Sequence, residues 1–135
     1  VGTEGDDAKV FLRPTRNVFH ISKVLDSISA KGKTPLIHAM NAALKMAEGF
    51  AKKKHHLTSL MVIISDGRIN VPFRNSISKD LDWLADRIRK LGLLSFVVDS
   101  NTRFAGSALL RKIANTFHGR YVLMADVHHQ EKIML

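Results

Sequence analysis

The sequence predicts a doubly wound α/β fold, a mostly parallel sheet with helices on both faces. Three observations carry this. Strand-like apolar runs alternate with segments whose apolar residues recur at helical spacing. The runs are nearly continuous, as in "LMVIIS" (60–65) and "LLSFVVDS" (93–100), which reads as strands buried on both faces. Two of them end on an acid, Asp66 and Asp99, at the carboxyl edge where such sheets bind ligands.

The elements follow in order. "AKVFLRP" (8–14) has the pattern of a short strand stopped by Pro14. Val18, Ile21, Val24, Leu25 and Ile28 fall at helical spacing behind Asn17, a good N-cap. A Gly-containing loop then leads to Thr34, an N-cap, and Pro35, which suits the first helical position. Leu36, Met40, Ala43, Leu44, Ala47 and Phe50 form one apolar stripe, and Lys52, Lys53 and Lys54 sit where cations offset the negative end of a helix dipole. The strand in "SLMVIISDGRIN" (59–70), with its apolar run from Leu60 to Ile64, comes next, then an irregular loop over 71–77. Ser78 is the predicted cap of a helix carrying Leu81, Leu84, Ile88 and Leu91, with Gly92 as its stop. Strand 93–100 leads to a helix capped by Ser107, bearing Leu110, Ile113, Ala114 and Phe117 and ended by Gly119. "RYVLMAD" (120–126) is the last strand, and "VHHQEKIML" starts a further helix.

The bulk numbers bound the function. A chain of 135 residues fits one domain, assigned here to 1–135, with 45% hydrophobic and 24% charged residues, an ordinary globular composition. No apolar run approaches the roughly 20 residues of a membrane span, and the polar start "VGTEGDDAKV" has no signal-peptide core. No cysteine is present, which removes disulfides and thiolate metal sites; the expected compartment is the cytoplasm. The net charge of +9, from 21 basic and 12 acidic residues, invites a nucleic-acid reading. The basic residues are scattered apart from "KKKHH" (52–56), and no aromatic residues interleave with arginine as a stacking platform requires. A solvated basic face, or one that meets an acidic partner, accounts for the charge better.

Asp66 has several readings. Asp-Gly forms turns on its own account. A phospho-acceptor site would call for further acids on an earlier strand and a basic residue ending a later one, where Asp99 stands instead. A dinucleotide site needs a glycine-rich turn after the first strand, but "GTEG" (2–5) precedes a strand. A G-x-S-x-G hydrolase elbow is missing. The fourth reading pairs Thr34 with Asp66. In an α/β sheet both lie on one edge, and a hydroxyl with a carboxylate suits a hard divalent cation such as Mg2+, which keeps several waters and can accept an acid from a partner.

"GKTPLIHAMNAAL" followed by "VIISDGRIN" resembles the von Willebrand factor A domain. More narrowly, it is similar to the one at the carboxyl end of the magnesium chelatase D subunit and its cobalt-chelatase relatives. "LRPTRN" (12–17) and "FVVDS" with "ALLRKIANTFHGRYVLM" extend the likeness over nearly the whole chain. The resemblance implies a metal-ion-dependent adhesion site with an Asp-x-Ser-x-Ser motif on a first strand, a threonine matched by Thr34 and an aspartate matched by Asp66. The first motif has no match: "DSISAKGK" (26–33) ends a helix and "SNT" follows Asp99. The expectation is therefore an N-terminally truncated copy that lacks the first strand and helix. Bound Mg2+ would then be weak or absent. Self-association is expected through the sheet position so left open.

Around the site, Arg68 is expected to orient it or to reach a partner's carboxylate, or simply to be a surface arginine. Asn70 matches the family motif and can cap the loop, and Asp99 is an acid that supports the site from nearby or a turn residue. Adjacent histidines at 55–56 and 128–129 point apart on regular elements, which disfavours shared metal coordination. Trp83 reads as core or helix–helix packing. No nucleophile, base and oxyanion donor converge. The resemblance implies a non-catalytic interaction module, a von Willebrand A-type domain that docks AAA+ subunits of an ATP-driven chelatase in tetrapyrrole biosynthesis. ATP would bind a separate domain, since no Walker A pattern is present here. The alternative is a stand-alone A-type domain that binds another protein or an acidic polymer.

Overall fold

A computed structural model of the protein describes residues 1–4, 7–28, 35–54, 58–68, 72–102 and 106–126. Strands β1 (Gly2–Glu4) and β2 (Asp7–Lys9) form an antiparallel pair. Helices α1 (Val18–Ser27) and α2 (Leu36–Lys53) follow, and then β3 (Leu60–Ser65), α3 (Ile77–Leu91), β4 (Leu94–Asp99), α4 (Ala108–Thr116) and β5 (Arg120–Leu123) alternate. The sheet runs β3-β4-β5, parallel throughout. The α/β class read from the sequence is borne out, because parallel neighbours need a crossover and α3 and α4 supply them.

The helix ends explain themselves chemically. The Asn17 side chain accepts from His20 N at 3.1 Å at the start of α1, as expected of an N-cap. Pro35 holds the cap position of α2, so that helix begins one residue later than the sequence suggested. Ser76, not Ser78, caps α3, accepting from Lys79 N at 3.2 Å. The helix starts earlier because Asp80 is buried beneath the preceding turn and accepts from Phe73, Arg74 and Asn75 N–H groups. Gly92 ends α3 in the left-handed conformation, as predicted. At the end of α4 that conformation falls to His118, at φ 50°, rather than to Gly119. Gly119 is spent on close packing: a Cβ there would lie 2.7 Å from the Ser95 carbonyl oxygen.

One core holds the helices to the sheet. Leu36, Ile37, Met40 and Leu44 of α2, Leu81, Leu84 and Ile88 of α3, and Leu110, Ile113 and Ala114 of α4 enclose Met61, Ile63 and Val97. Trp83 packs against the core as expected, stacked on Phe73 of the preceding loop with ring centroids 5.9 Å apart and with Arg87 over its face at 4.5 Å. Arg87 also ties α3 to α2 through Glu48 at 2.6 Å and Asn41 at 2.7 Å. This partly buried ion pair, with Arg87 also resting on Trp83, joins the two helices more firmly than an exposed pair would.

The strands depart from the sequence expectation in one respect. Met61 and Ile63 are buried, but Leu60 and Ile64 on the other face are 58% and 62% exposed. The continuous apolar run predicted burial on both faces; among the described residues no element covers this second face of β3. The outer edge of β3 also lines a groove of about 240 Å³ with Val1, Gly2, Leu36, Met40 and Ala43, and the sheet order leaves that edge without a paired strand among the described residues. Helix α1 likewise has no buried residue, and Phe19 is exposed.

The two faces give a direct test. Leu84→Ala empties a fully enclosed site and should cost about 2–5 kcal/mol in denaturant unfolding, whereas Leu60→Ala should cost less than about 1 kcal/mol. Equal losses would contradict the one-sided core.

Candidate functional site

The parallel register aligns Ser65 with Asp99. The chain leaves β3 and β4 side by side, and the two exits line one polar cleft of about 520 Å³ with the start of α4. Asp66, Gly67 and Arg68 form one wall, Asn101 and Thr102 another, and Gly106, Ser107 and Ala108 complete it.

The wall that carries Asp66 is held by its own turn and by its neighbour. Gly67 has φ 68°, and its N–H donates to Ser65 Oγ at 3.1 Å. A Cβ on Gly67 would fall 2.0 Å from Ser107 Oγ, so only glycine lets this turn rest on the cap of α4. The Asn101 side-chain amide donates to the Asp66 carbonyl oxygen at 3.2 Å. The Asp66 carboxylate is half-exposed. Oδ1 accepts the Arg68 backbone N–H at 3.0 Å, and Oδ2 lies 3.1 Å from Arg68 Nε. The Arg68 side chain is 79% exposed.

Asp99 has a different role. It is 0% exposed. Oδ1 accepts from Asn101 N at 2.8 Å; Oδ2 accepts from Ser107 N at 2.6 Å and from Tyr121 Oη at 2.6 Å. Burial pushes its pKa up, but the Tyr121 hydroxyl, the two backbone N–H groups and the Arg111 charge outweigh burial and hold the carboxyl below its ordinary range. Tyr121 moves the other way: burial, the hydrogen bond to Asp99 and the charge of that carboxylate raise its pKa, opposed by Arg111.

Of the residues predicted for the site, Asp66 and Arg68 meet directly, and Asp99 stands behind them, joined through Asn101. Thr34 and Asn70 lie outside the described residues, as do the histidines at 55–56 and 128–129 and the tail from 127. Leu36, two positions after Thr34, lines the β3 groove together with Ile64 and Ser65, so α2 starts near the end of β3. Sequence reasoning missed Asn101, Thr102 and Tyr121. The signal available was "SNT", small polar residues just past a strand-ending acid.

The donor set can be weighed against a hard divalent cation. Asp66, Asn101 and Thr102 bring oxygen atoms to the cleft, the right kind of ligand for Mg2+. Asp66 is the one carboxylate among the described lining residues, and no group of three or more metal-binding acids, histidines or cysteines gathers among the described residues. The cleft therefore fits such an ion in kind, with few charged ligands. No helix among the described residues is long and apolar enough to cross a membrane.

No protein-family model matches the chain. Individual relatives do. The chain is 26% identical to the magnesium-chelatase 67 kDa subunit of Chlorobaculum parvum over 97% of its own length and 23% of that subunit. It is 28% identical to the magnesium-chelatase 60 kDa subunit of Cereibacter sphaeroides over 96% of its length and 24% of that protein. An uncharacterized protein of Methanocaldococcus jannaschii is 25% identical over 96% of the chain and 74% of the relative. The chain is thus similar to magnesium-chelatase subunits along nearly all of its length, and spans about a quarter of theirs. The likeness to magnesium-chelatase subunits read from the sequence is borne out.

Two stability measurements test the Asp99 network. A carboxylate with a depressed folded-state pKa stabilises the protein above its unfolded pKa, and that contribution disappears as pH falls through the folded value. Asp99→Asn should therefore cost about 1–3 kcal/mol at pH 7, and its deficit relative to wild type should shrink as pH falls below about 4. Tyr121→Phe removes one donor and should cost about 1 kcal/mol at neutral pH; denaturant midpoints across pH read both.

Proposed function

We propose that this chain is a non-catalytic docking module of an ATP-driven chelatase, a machine that inserts a divalent metal into a tetrapyrrole, and that the cleft around Asp66 is its docking site. The observation that carries the reading is a half-exposed carboxylate held rigidly at the carboxyl rim of a parallel sheet, within a chain similar throughout to magnesium-chelatase subunits. In this reading the module is of the von Willebrand A type. Its partners are AAA+ chelatase subunits, ATP binds a separate domain, and the setting is cytoplasmic.

Thr34 and Asp66 would hold a magnesium ion, with the Thr102 hydroxyl as a further oxygen. When bound, the ion supplies the positive charge that an acidic side chain of a partner can meet. The remaining residues position that contact. Gly67 and Asn101 fix the Asp66 backbone, and Asp99 fixes Asn101.

A second reading has its own observation. The outer edge of β3, unpaired among the described residues, carries apolar side chains and no charge, in contrast to the charged or proline-blocked edges that keep sheets apart. That edge supports self-association.

Binding to an AAA+ chelatase subunit, measured by calorimetry in Mg2+, should weaken by about tenfold or more with a chelator and with Asp66→Ala. Binding that ignores both but falls steeply with salt would favour an acidic polymer instead. Sedimentation should show concentration-dependent mass that Val62→Lys removes; mass unchanged by that variant would reject the β3 edge as the contact.

A further inference from the structure

The cation reading of the cleft leaves Arg68 unexplained, and the geometry there is specific. Both oxygens of Asp66 are engaged by the same residue, two positions further on. The Arg68 backbone N–H holds Oδ1 at 3.0 Å and Arg68 Nε stands 3.1 Å from Oδ2. The turn that creates this contact is rigid, because Gly67 is pressed on Ser107 and Asn101 grips the Asp66 carbonyl. Asp66 thus has little freedom to move away from Arg68. The Arg68 side chain is 79% exposed, so swinging it away would break no packing contact.

Oδ1 already accepts the Arg68 N–H, and a divalent ion on either oxygen would place two positive charges beside the guanidinium that stands 3.1 Å from Oδ2. Two costs follow: the ion pair must open, and like charges must stand close until the side chain swings away. Among the described residues lining the cleft, no second carboxylate offsets either cost. We propose that Arg68 sets the cation affinity of this site by occupying Asp66 as an internal competitor. Cation entry and the Arg68–Asp66 pair then exclude one another, and the cleft takes up a divalent ion only at concentrations that displace the guanidinium.

The inference rests on the cation reading above, and the test separates the two. Mg2+ binding to the full chain is measured by calorimetry, and Mn2+ binding by electron paramagnetic resonance, for wild type, Arg68→Ala, Arg68→Lys, Asp66→Ala and the double variant. Arg68→Ala should bind both ions about threefold to tenfold more tightly, the scale of releasing an exposed ion pair and one nearby like charge. Arg68→Lys, which keeps the charge, should stay within about twofold of wild type. Asp66→Ala should abolish binding in either background. Thermal unfolding of Arg68→Ala without metal should match wild type, since an exposed arginine contributes little to stability.

Equal or weaker binding by Arg68→Ala, with the Asp66 dependence intact, overturns the proposal and leaves the cation reading standing. Tightening by Arg68→Lys as large as by Arg68→Ala overturns it as well, because the charge is then irrelevant. Absence of Asp66-dependent binding in every variant overturns the cation reading and this inference together.

Discussion

Asp99 carries a charge into the interior at the end of the central strand β4, and a buried carboxylate must be met by donors or surrender its charge. Here the donors come from three separate segments. Asn101 N begins the connection to α4, Ser107 N ends it, and Tyr121 Oη belongs to β5. One side chain therefore closes the loop at both ends and ties it to the neighbouring strand. Gly106 is part of the same fit, since a Cβ there would lie 2.3 Å from the Tyr121 oxygen and 2.8 Å from Asp99 Oδ2. The Asp66 turn leans on this frame twice, through Gly67 against Ser107 and through the Asn101 amide. Order at the exposed carboxylate is inherited from the buried one.

That arrangement divides the labour between two acids at the ends of adjacent strands. The register makes Ser65 and Asp99 neighbours, so the acid on β4 lies within the sheet while the acid after β3 projects one residue beyond it. The inner one is saturated with hydrogen bonds and serves shape. The outer one keeps access to solvent and pairs with an exposed side chain. The pairing with Arg68 makes the cleft close to neutral in formal charge, although the chain carries +9 overall. The excess positive charge therefore lies on the wider surface, away from the cleft.

The opposite side of the sheet follows another rule. Leu60, Val62, Ile64 and Leu94 form an apolar face that three helices leave open, because successive crossovers of the same hand place α3 and α4 on one side. A strand whose alternate residues are this apolar is built to be covered on both faces. The groove beside β3 and the open face adjoin, so an element that paired with the edge would also begin to cover the face.

Most of the fold was legible in the chain. The alternation of elements, the caps at Asn17 and Ser107, the Gly92 stop and the core positions of α2, α3 and α4 all follow from local chemistry, since each depends on residues within a few positions of one another. The position of Asp66 at a strand end was legible for the same reason, as was the likeness to chelatase subunits. What lay beyond the sequence depended on contacts across the chain. Ser76 displaced Ser78 as a cap because Asp80 folds back under the preceding turn. His118 took the turn expected of Gly119 because Gly119 is needed against Ser95. The hold of Asn101 on Asp66, the role of Tyr121 and the capture of Asp66 by Arg68 required the register of β3 on β4 and the rigid Gly67 turn. A sequence states which groups are present at the rim; only the packed strands decide which of them touch, because hydrogen bonds and ion pairs are decided within a few tenths of an ångström, far finer than residue spacing can convey.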